Sequence, residues 1–245
     1  FKFSEAKSIV SYLHELGVSD VYASPYFKAK KGSLHGYDIL DHHHLNPEIG
    51  TEKEYEEFVE ELQRFKMGQV LDIVPNHMCI SEDDNIWWMD VLENGPGSIY
   101  TDFFDIDWHP VKDELENKVL LPLLGDPYGR ALENQELRLE LKEGAFFIHG
   151  YGRKLPVAPL SYLKILRFRI EELEKRMGSD PLDFQEFLSI TTALSHLPSL
   201  IEEDAEKILE RRREKEIIKK RLWNLCVKSE DLRSFLNENI RLFNG

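Results

Sequence analysis

Cysteine is scarce in this sequence, and long apolar runs are missing. The two cysteines among the 245 residues, Cys79 and Cys226, lie far apart without CxxC spacing, which argues against a disulfide framework and against a zinc knuckle. No apolar run approaches the roughly 20 residues that cross a bilayer, and the opening FKFSEAK lacks the apolar core of a signal peptide. These absences predict a cytoplasmic protein with no membrane partner.

Basic residues are also fewer than acidic ones. The chain carries 31 Lys and Arg residues against 45 Asp and Glu residues, a formal net charge of −14, which repels phosphate backbones and anionic membranes. Nucleic acid is therefore a poor candidate partner, and a neutral ligand fits better. The densest basic stretch, RRREKEIIKKR at 211–221, contains glutamates and lies in a helical pattern, so it predicts a solvated helix face.

Hydrophobic residues make up 42% of the chain, enough to bury a core. Near the start they recur at helical spacing from Ser4, a candidate N-cap, to Gly17, a candidate stop. VSDVYAS at 18–24 follows as a short strand closed by Pro25. A loop rich in Gly, His and Pro is then expected to run to Gly50.

A second helix and strand follow in the same order. Thr51 and Glu54 have the spacing of a capping box, and the helix they begin is expected to stop at Gly68. QVLDIVP at 69–75 is nearly continuous in apolar residues, a pattern typical of a sheet buried on both faces. The order helix, strand, helix, strand predicts an α/β fold with parallel strands joined by right-handed crossovers.

The pattern changes beyond residue 80. NIWWMDVLENG predicts a short helix, LRLEL and AFFIHG flanking KEG predict a β-hairpin, and residues 160–242 predict several helices, of which 199–228 is long and highly charged. We therefore divide the chain into 1–80, the alternating part, and 81–245, a mostly helical part with a small hairpin.

Polar residues collect at the end of the second predicted strand, in LDIVPNH. Asp72 lies inside the apolar run, and Asn76 and His77 follow it. A carboxylate in a buried strand needs a partner such as an arginine, so a structural ion pair is one interpretation of Asp72. The other is positional, because the carboxyl ends of parallel strands are where α/β proteins build their sites.

HGYD, residues 35–38, lies in the loop after the preceding strand and is expected at the same edge. The ring of Tyr37 beside Asp38 and His35 suits a sugar, whose apolar face stacks on an aromatic ring while its hydroxyls form directional hydrogen bonds. A loop tyrosine that only packs against its neighbours is the alternative.

The run His42, His43 and His44 raises the question of a metal. Adjacent residues of an extended segment point to opposite sides, and the HExxH or i, i+4 spacing of zinc sites is absent. We therefore predict neither a metal nor another cofactor.

These stretches carry a family resemblance. HGYDILDHHHLNPEIGT followed by LDIVPNH resembles the two early motifs of the α-amylase superfamily, glycoside hydrolase family 13. FFDIDWHP at 103–110, KVLLPLLGDPYG at 118–129 and LPVAPLSY at 155–162 resemble the maltooligosyltrehalose synthases, a family of isomerases within it. The resemblance covers most of residues 1 to 165.

The resemblance implies an incomplete (β/α)₈ barrel with a large, mostly helical insertion after the third barrel strand. It implies that Tyr37 stacks on the sugar, with His35 and Asp38 nearby, that His77 hydrogen-bonds its hydroxyls, and that Asn76 shapes the loop. Asp72 would support the site by pairing with an arginine on the next barrel strand. The partner would be a maltooligosaccharide, whose reducing-end α-1,4 bond the full enzyme converts to an α,α-1,1 bond.

No catalytic carboxylate is assigned within the chain. The resemblance places the nucleophilic aspartate and the acid glutamate beyond Gly245, so the isolated chain is expected to be inactive. FRIEEL at 168–173 has Glu171 where the family has an aspartate and is interpreted as a surface helix. An amylase-like hydrolase or transglycosylase and a non-catalytic carbohydrate-binding fragment remain alternatives, and the glucan length and oligomeric state are left open.

Several other residues are weaker candidates. Trp87 and Trp88 on the predicted short helix favour a core role over a sugar platform. The others occur in or near family-like stretches and are candidate sugar contacts or carboxylates by that position alone: Asp102, Asp105, Asp107, Trp108, His109, His149 and Arg153.

Overall fold

The structure is a computed structural model that describes residues 1–81, 84–177 and 181–245. They form two compact units, Phe1–Asn85 and Ile86–Gly245, called unit 1 and unit 2 below. The predicted boundary after residue 80 lies close to this division, whereas the roles assigned to the two parts stay predictions.

Unit 1 alternates short helices with short strands. Its elements are α1 (Phe3–Ser8), α2 (Val10–Glu15), β1 (Asp20–Ala23), β2 (Phe27–Ala29), β3 (Ile39–Leu45), α3 (Glu52–Arg64) and β4 (Gly68–Leu71). Its core consists of residues from α1, α2, α3 and the turn before β4: Phe3, Val10, Phe58, Leu62 and Met67.

The first predicted helix is divided in two. Ile9 separates α1 from α2 with φ −104° and ψ −1°. The N-cap is Lys2 and not Ser4, because α1 begins at Phe3. The Lys2 backbone N–H donates to the Glu5 carboxylate at 2.8 Å. Gly17, with φ +87°, ends the helical segment as predicted.

The capping box that begins α3 is confirmed. The Glu54 N–H donates to Thr51 Oγ1 at 3.2 Å, and the Thr51 N–H donates to Glu54 Oε2 at 2.7 Å. The predicted stop at Gly68 is wrong, since the chain leaves the helix at Phe65 and takes the left-handed conformation at Lys66, φ +53°. Gly68 instead begins β4.

Strands β1 and β4 pair in parallel, as predicted, with Asp20 opposite Gly68 and Ala23 opposite Leu71. The second strand is shorter than predicted and is not buried on both faces, since Val70 is 53% exposed and Ile73 60% exposed. The reason is that β1 and β4 form a sheet of only two strands among the described residues, so no further strand covers them.

The predicted loop to Gly50 contains a second pair of strands. β2 and β3 are antiparallel with an irregular register, and Phe27 lies opposite Leu45. His42, His43 and His44 lie in β3, so this part of the loop is extended.

Unit 2 is mostly helical with one antiparallel sheet. Its elements are α4 (Ile86–Asn94), α5 (Tyr128–Glu133), β5 (Arg138–Lys142), β6 (Ala145–Gly150), β7 (Arg153–Pro156), α6 (Tyr162–Leu166), α7 (Ile170–Met177), α8 (Pro181–Ser195), α9 (Ala205–Lys228) and α10 (Glu230–Phe243). The predicted short helix and hairpin are confirmed, and β7 adds a third strand that was not predicted.

The core of unit 2 lies between the sheet and the helices α6 to α10. Its buried members include Phe146, Tyr162, Phe187, Leu222 and Phe235. Glu171 in α7 is exposed while Leu173 is buried, which fits the surface-helix interpretation of that stretch. Among the described residues, no helix combines the length and apolarity needed to span a bilayer.

The basic stretch of α9 is not simply a solvated face. Lys215, which is 3% exposed, places its ammonium 2.5 Å from Glu93 Oε2 and 3.2 Å from Asp90 Oδ2 on α4. Lys219 lies 2.6 Å from Glu93 Oε1. The prediction fails here because carboxylates more than 100 positions away offset the cost of burying these charges. Burial favours a lower pKa for Lys215, yet Glu93 and Asp90 raise that pKa overall.

One edge of the unit 2 sheet is occupied by a side chain. The Leu139 N–H of β5 donates to Asn244 Oδ1 at 2.7 Å, and Asn244 Nδ2 donates to the Leu139 carbonyl at 3.0 Å. The amide thus pairs with both backbone groups of that residue.

The described part of the chain is α/β, with sheets of two, two and three strands and no closed barrel.

Candidate functional site

The carboxyl ends of β1 and β4 lie at the same edge of unit 1. The Asp72 N–H, just past the end of β4, donates to the Ala23 carbonyl at 2.9 Å. This bond extends the parallel pairing by one residue and brings Asp72 beside the carboxyl end of β1. The polar end of LDIVPNH and the end of the first strand are therefore neighbours.

The Asp72 carboxylate joins three segments of unit 1. Its Oδ2 accepts hydrogen bonds from the phenols of Tyr22 in β1 and Tyr37 in the HGYD loop, both at 2.6 Å. Its Oδ1 accepts the Ile73 N–H at 2.8 Å. The loop and the two strands meet at this carboxylate, which we call the Asp72 cluster, with Tyr22 and Tyr37 as its other members.

Protonation states in the Asp72 cluster follow from these bonds. The hydrogen bond to Asp72, reinforced by loss of solvent, raises the pKa of both Tyr22 and Tyr37 above the ordinary tyrosine value. In return, the two phenols that donate to Asp72 lower the pKa of its carboxyl. The carboxylate is therefore ionised and both phenols are protonated at neutral pH.

Gly36 sets the path of the HGYD loop. It has φ +79°, and a Cβ at this position would lie 2.6 Å from the Pro25 carbonyl oxygen, so neither the conformation nor the space suits another residue. The Gly36 N–H donates to Ser33 Oγ at 3.1 Å, and that hydroxyl also donates to the Asp38 carboxylate. Asp38 therefore acts as an anchor inside the loop.

His35 supports the backbone of Tyr37. Its Nδ1 accepts the Tyr37 N–H at 3.0 Å, and the two rings lie 5.9 Å apart at a tilt of 38°. The phenol of Tyr37 is fixed by Asp72 and its backbone by His35, while 36% of the residue stays exposed. The side chain is thus held at both ends while part of the residue stays accessible to solvent.

Asn76 and His77 lie beyond β4 and are exposed. Neither forms a hydrogen bond with another residue in the described ranges, so their predicted contacts with a sugar stay predictions. A cavity of about 680 Å³ lies next to the Asp72 cluster and is lined by Tyr22, His35 and Gly36 together with residues of α1 and β1.

The expected environment of Asp72 needs correction. It lies just after a short strand and is half-buried, not enclosed in a long buried strand. Among the described residues, its side-chain partners are Tyr22 and Tyr37, and the pairing with an arginine on the next barrel strand stays a prediction. Tyr22 was not identified from the sequence, although its place near the end of a strand parallel to β4 is the signal that singles it out.

The histidine run contributes no metal site in the described residues. His44 Nδ1 lies 2.7 Å from Asp41 Oδ2 and His43 Nδ1 lies 3.5 Å from Asp41 Oδ1, while the ring of His42 lies 5.8 Å from that of Phe27.

The weaker candidates lie in unit 2. Trp87 and Trp88 are buried, as predicted for core residues. His149 pairs with Glu140 on the neighbouring strand at 2.6 Å, and His109 lies 3.8 Å from Glu116. Exposed carboxylates occur in the 101–109 segment: Asp102, Asp105 and Asp107.

Comparison with known sequences places this geometry in context. Residues 7–158 match the family described as alpha amylase, catalytic domain. The chain is 41% identical over 127 residues to a putative maltooligosyl trehalose synthase of Mycobacterium tuberculosis, an alignment that covers 51% of this chain and 16% of that protein. It is 36% identical over 105 residues to an intracellular maltogenic amylase of Bacillus subtilis, covering 43% of this chain and 17% of that protein.

Solved structures give the same picture. Maltooligosyltrehalose synthase from Arthrobacter ramosus superposes with a TM-score of 0.56 at 36% identity, over 64% of this chain and 20% of that chain. A hypothetical maltooligosyl trehalose synthase of Sulfolobus tokodaii gives 0.56 at 34% identity, over 71% of this chain and 22% of that chain. These similarities confirm the family resemblance that the motifs indicate. The chain spans between 16% and 22% of the length of each of these relatives.

Proposed function

The chain belongs to the α-amylase catalytic-domain family, and on that premise we propose that it supplies part of the glucan site of a maltooligosyltrehalose synthase. The observation that carries the proposal is the 41% identity over 127 residues to a putative synthase. The substrate would be a maltodextrin, a neutral ligand that suits a chain with a net charge of −14.

Each residue of the proposed site has a separate task. Tyr37 stacks on a glucosyl ring, and the Asp72 cluster fixes the orientation of that ring surface. Asp72 supports the site, and His35 and Asp38 hold the loop. His77 hydrogen-bonds sugar hydroxyls, and Asn76 shapes the segment that presents it. A tyrosine held at both its backbone and its hydroxyl loses little freedom when it binds a sugar, which favours affinity.

The fold that fits this proposal is an incomplete (β/α)₈ barrel. The parallel strands β1 and β4 would be neighbouring barrel strands, with the site at their carboxyl ends, where barrel enzymes place their sites. Unit 2 would be the insertion after the third barrel strand.

The proposed reaction breaks the α-1,4 bond to the reducing-end glucose and forms an α,α-1,1 bond to the same glucose. A nucleophilic carboxylate takes the glycosyl group while an acid protonates the leaving oxygen, and the retained glucose then returns its O1 to the anomeric carbon, giving its proton to the same residue as base. No water is consumed, so the site must exclude it. We assign neither carboxylate role to a residue of this chain.

An amylase-like hydrolase or transglycosylase is the second candidate, favoured by the similarity to the Bacillus subtilis maltogenic amylase. Product analysis separates the two in any active enzyme that contains this chain. We expect more of the trehalose-ended isomer than of free glucose among the products. Glucose as the main product would reject the proposed isomerase and favour a hydrolase.

Sugar binding by the chain itself is tested by NMR titration with maltotetraose, which detects weak affinities. We expect the Tyr37→Ala variant to lose binding and Tyr37→Phe to retain the stacking contribution. Tyr12→Ala is the matched control, because Tyr12 is an exposed tyrosine on α2. Equal binding by Tyr37→Ala and Tyr12→Ala would contradict the assignment of Tyr37.

A further inference from the structure

Phe103 presents an apolar ring to solvent in unit 2. It is 59% exposed, although its ring contacts two others. Its centroid lies 4.9 Å from that of Trp87 and 6.0 Å from that of Tyr100. Trp87 and Tyr100 stack on each other at 5.7 Å and 12°. These ring contacts restrict the orientations open to Phe103.

The segment that carries Phe103 is tied to α4. Ser98 Oγ donates to Asp90 Oδ1 at 2.6 Å, and Thr101 Oγ1 lies 3.2 Å from both the Gly95 and the Pro96 carbonyl oxygens. The following residue, Phe104, places its ring 5.1 Å from that of Trp88. Side-chain hydrogen bonds and ring contacts therefore fix the backbone on both sides of Phe103.

A concavity of about 500 Å³ opens at this ring. Its lining consists of residues 101–106 and Trp108. Two exposed carboxylates, Asp102 and Asp105, stand in that lining, and no lysine, arginine or histidine is among these described residues. The surface thus combines aromatic faces with hydrogen-bond acceptors and carries negative charge.

This combination selects a class of ligand. Carboxylates accept hydrogen bonds from hydroxyl groups, and aromatic faces receive the apolar face of a pyranose. Negative charge disfavours phosphorylated sugars and other anions, because no cation in the lining offsets the repulsion. A neutral sugar can contact the aromatic rings with its apolar face and donate hydrogen bonds from its hydroxyls to the carboxylates.

We propose that the concavity at Phe103, called the Phe103 platform, is a second glucan-binding site that accepts one glucosyl unit of a neutral α-glucan. The choice of an α-glucan over other neutral sugars rests on the proposed function. The platform lies in unit 2 and shares no residue with the Asp72 cluster of unit 1. Stacking on Phe103 provides the affinity, while Asp102 and Asp105 orient the hydroxyls.

The test is an NMR titration of the full 245-residue chain with maltotetraose, comparing wild type with Phe103→Ala. We expect shifts at residues 101–108 in the wild type and an affinity at these signals reduced about tenfold in Phe103→Ala. Phe103→Tyr keeps an aromatic face and should restore binding. Phe243→Ala is the matched control, since Phe243 is an exposed phenylalanine on α10.

A parallel titration of Tyr37→Ala separates this inference from the proposed function. Loss of the 101–108 shifts in Phe103→Ala but not in Tyr37→Ala supports the platform, whatever happens at unit 1. If the wild type shows no shifts at 101–108, or if Phe103→Ala binds there as the control does, the platform is rejected. A shift pattern at unit 1 that depends on Tyr37 would then leave the proposed function standing alone.

Discussion

Tyr37 donates its phenolic hydrogen to Asp72 Oδ2 at 2.6 Å, although the two residues are 35 positions apart. Tyr22 donates to the same oxygen at the same distance. One carboxylate oxygen therefore orients two phenols that arrive from different segments. A ligand that displaces one phenol from Asp72 also changes the environment of the other.

The first prediction concerns the ionisation of these phenols. Replacing Asp72 with Asn removes the negative charge that disfavours tyrosinate, so the pKa of Tyr37 and of Tyr22 should fall toward the ordinary tyrosine value. NMR titration of ¹³C-labelled tyrosine measures both residues. Glu61→Gln removes a carboxylate of α3 that pairs with Arg64 and should leave these two signals unchanged. Unaltered titration in Asp72→Asn would show that the hydrogen bonds do not form in solution.

The second prediction concerns stability at high pH. Because the folded-state pKa values of Tyr22 and Tyr37 are raised, their stabilising contribution is complete below the ordinary tyrosine pKa of about 10 and is lost as pH rises through the raised values. The double variant Tyr22→Phe/Tyr37→Phe lacks both groups. Its free energy of unfolding in urea should decrease less steeply above pH 10 than that of wild type, and equal slopes would contradict the linkage.

The third prediction concerns the buried charges between α4 and α9. Glu93 is 6% exposed and pairs with both Lys215 and Lys219. Glu93→Gln leaves two ammonium groups without their buried partner and should lower the free energy of unfolding by about 3–5 kcal/mol. Urea unfolding measures the change.

Glu216→Gln is the control for Glu93→Gln. Glu216 contacts the same two lysines, at 3.2 and 3.0 Å, but its side chain is 58% exposed. Solvent screens this pair, so its loss should cost about 0–1 kcal/mol. If the two variants lose the same stability, burial does not determine the strength of this network.

The fourth prediction concerns Gly36. Gly36→Ala forces an L side chain into φ +79° and brings its Cβ within 2.6 Å of the Pro25 carbonyl oxygen. Gly32→Ala meets a similar φ, +76°, with nothing within 4 Å, and should cost about 1 kcal/mol from the backbone alone. Gly36→Ala should cost about 1–3 kcal/mol more, because the clash adds to that strain. Equal costs in urea unfolding would show that the loop moves away from Pro25.

Local signals in the sequence were sufficient for much of the architecture. The capping box follows from the spacing of Thr51 and Glu54, and the parallel pairing of β1 with β4 follows from the order of helices and strands; both are confirmed. The length and burial of β4 were not predictable in this way. An apolar run shows that both faces of a strand could be buried. Whether they are buried depends on which other elements pack against the strand.

The errors share a physical origin in long-range pairing. The charged neighbours of Lys215 in the sequence predict a solvated side chain, whereas its buried partner Glu93 lies 122 positions away. Tyr22 does not stand out in the sequence, because only the register of β1 against β4 brings it to Asp72. The motifs single out Tyr37 and Asp72, but nothing in the sequence indicates the hydrogen bond between them.

Asn244 has a consequence for assembly. Exposed strand edges invite other extended chains to pair, and proteins commonly obstruct them. At Leu139 the amide of Asn244 already satisfies both the donor and the acceptor of β5, so an incoming peptide finds no free backbone group there. At this residue the Asn244 side chain occupies the place of a further strand, one of the ways in which a sheet edge is obstructed.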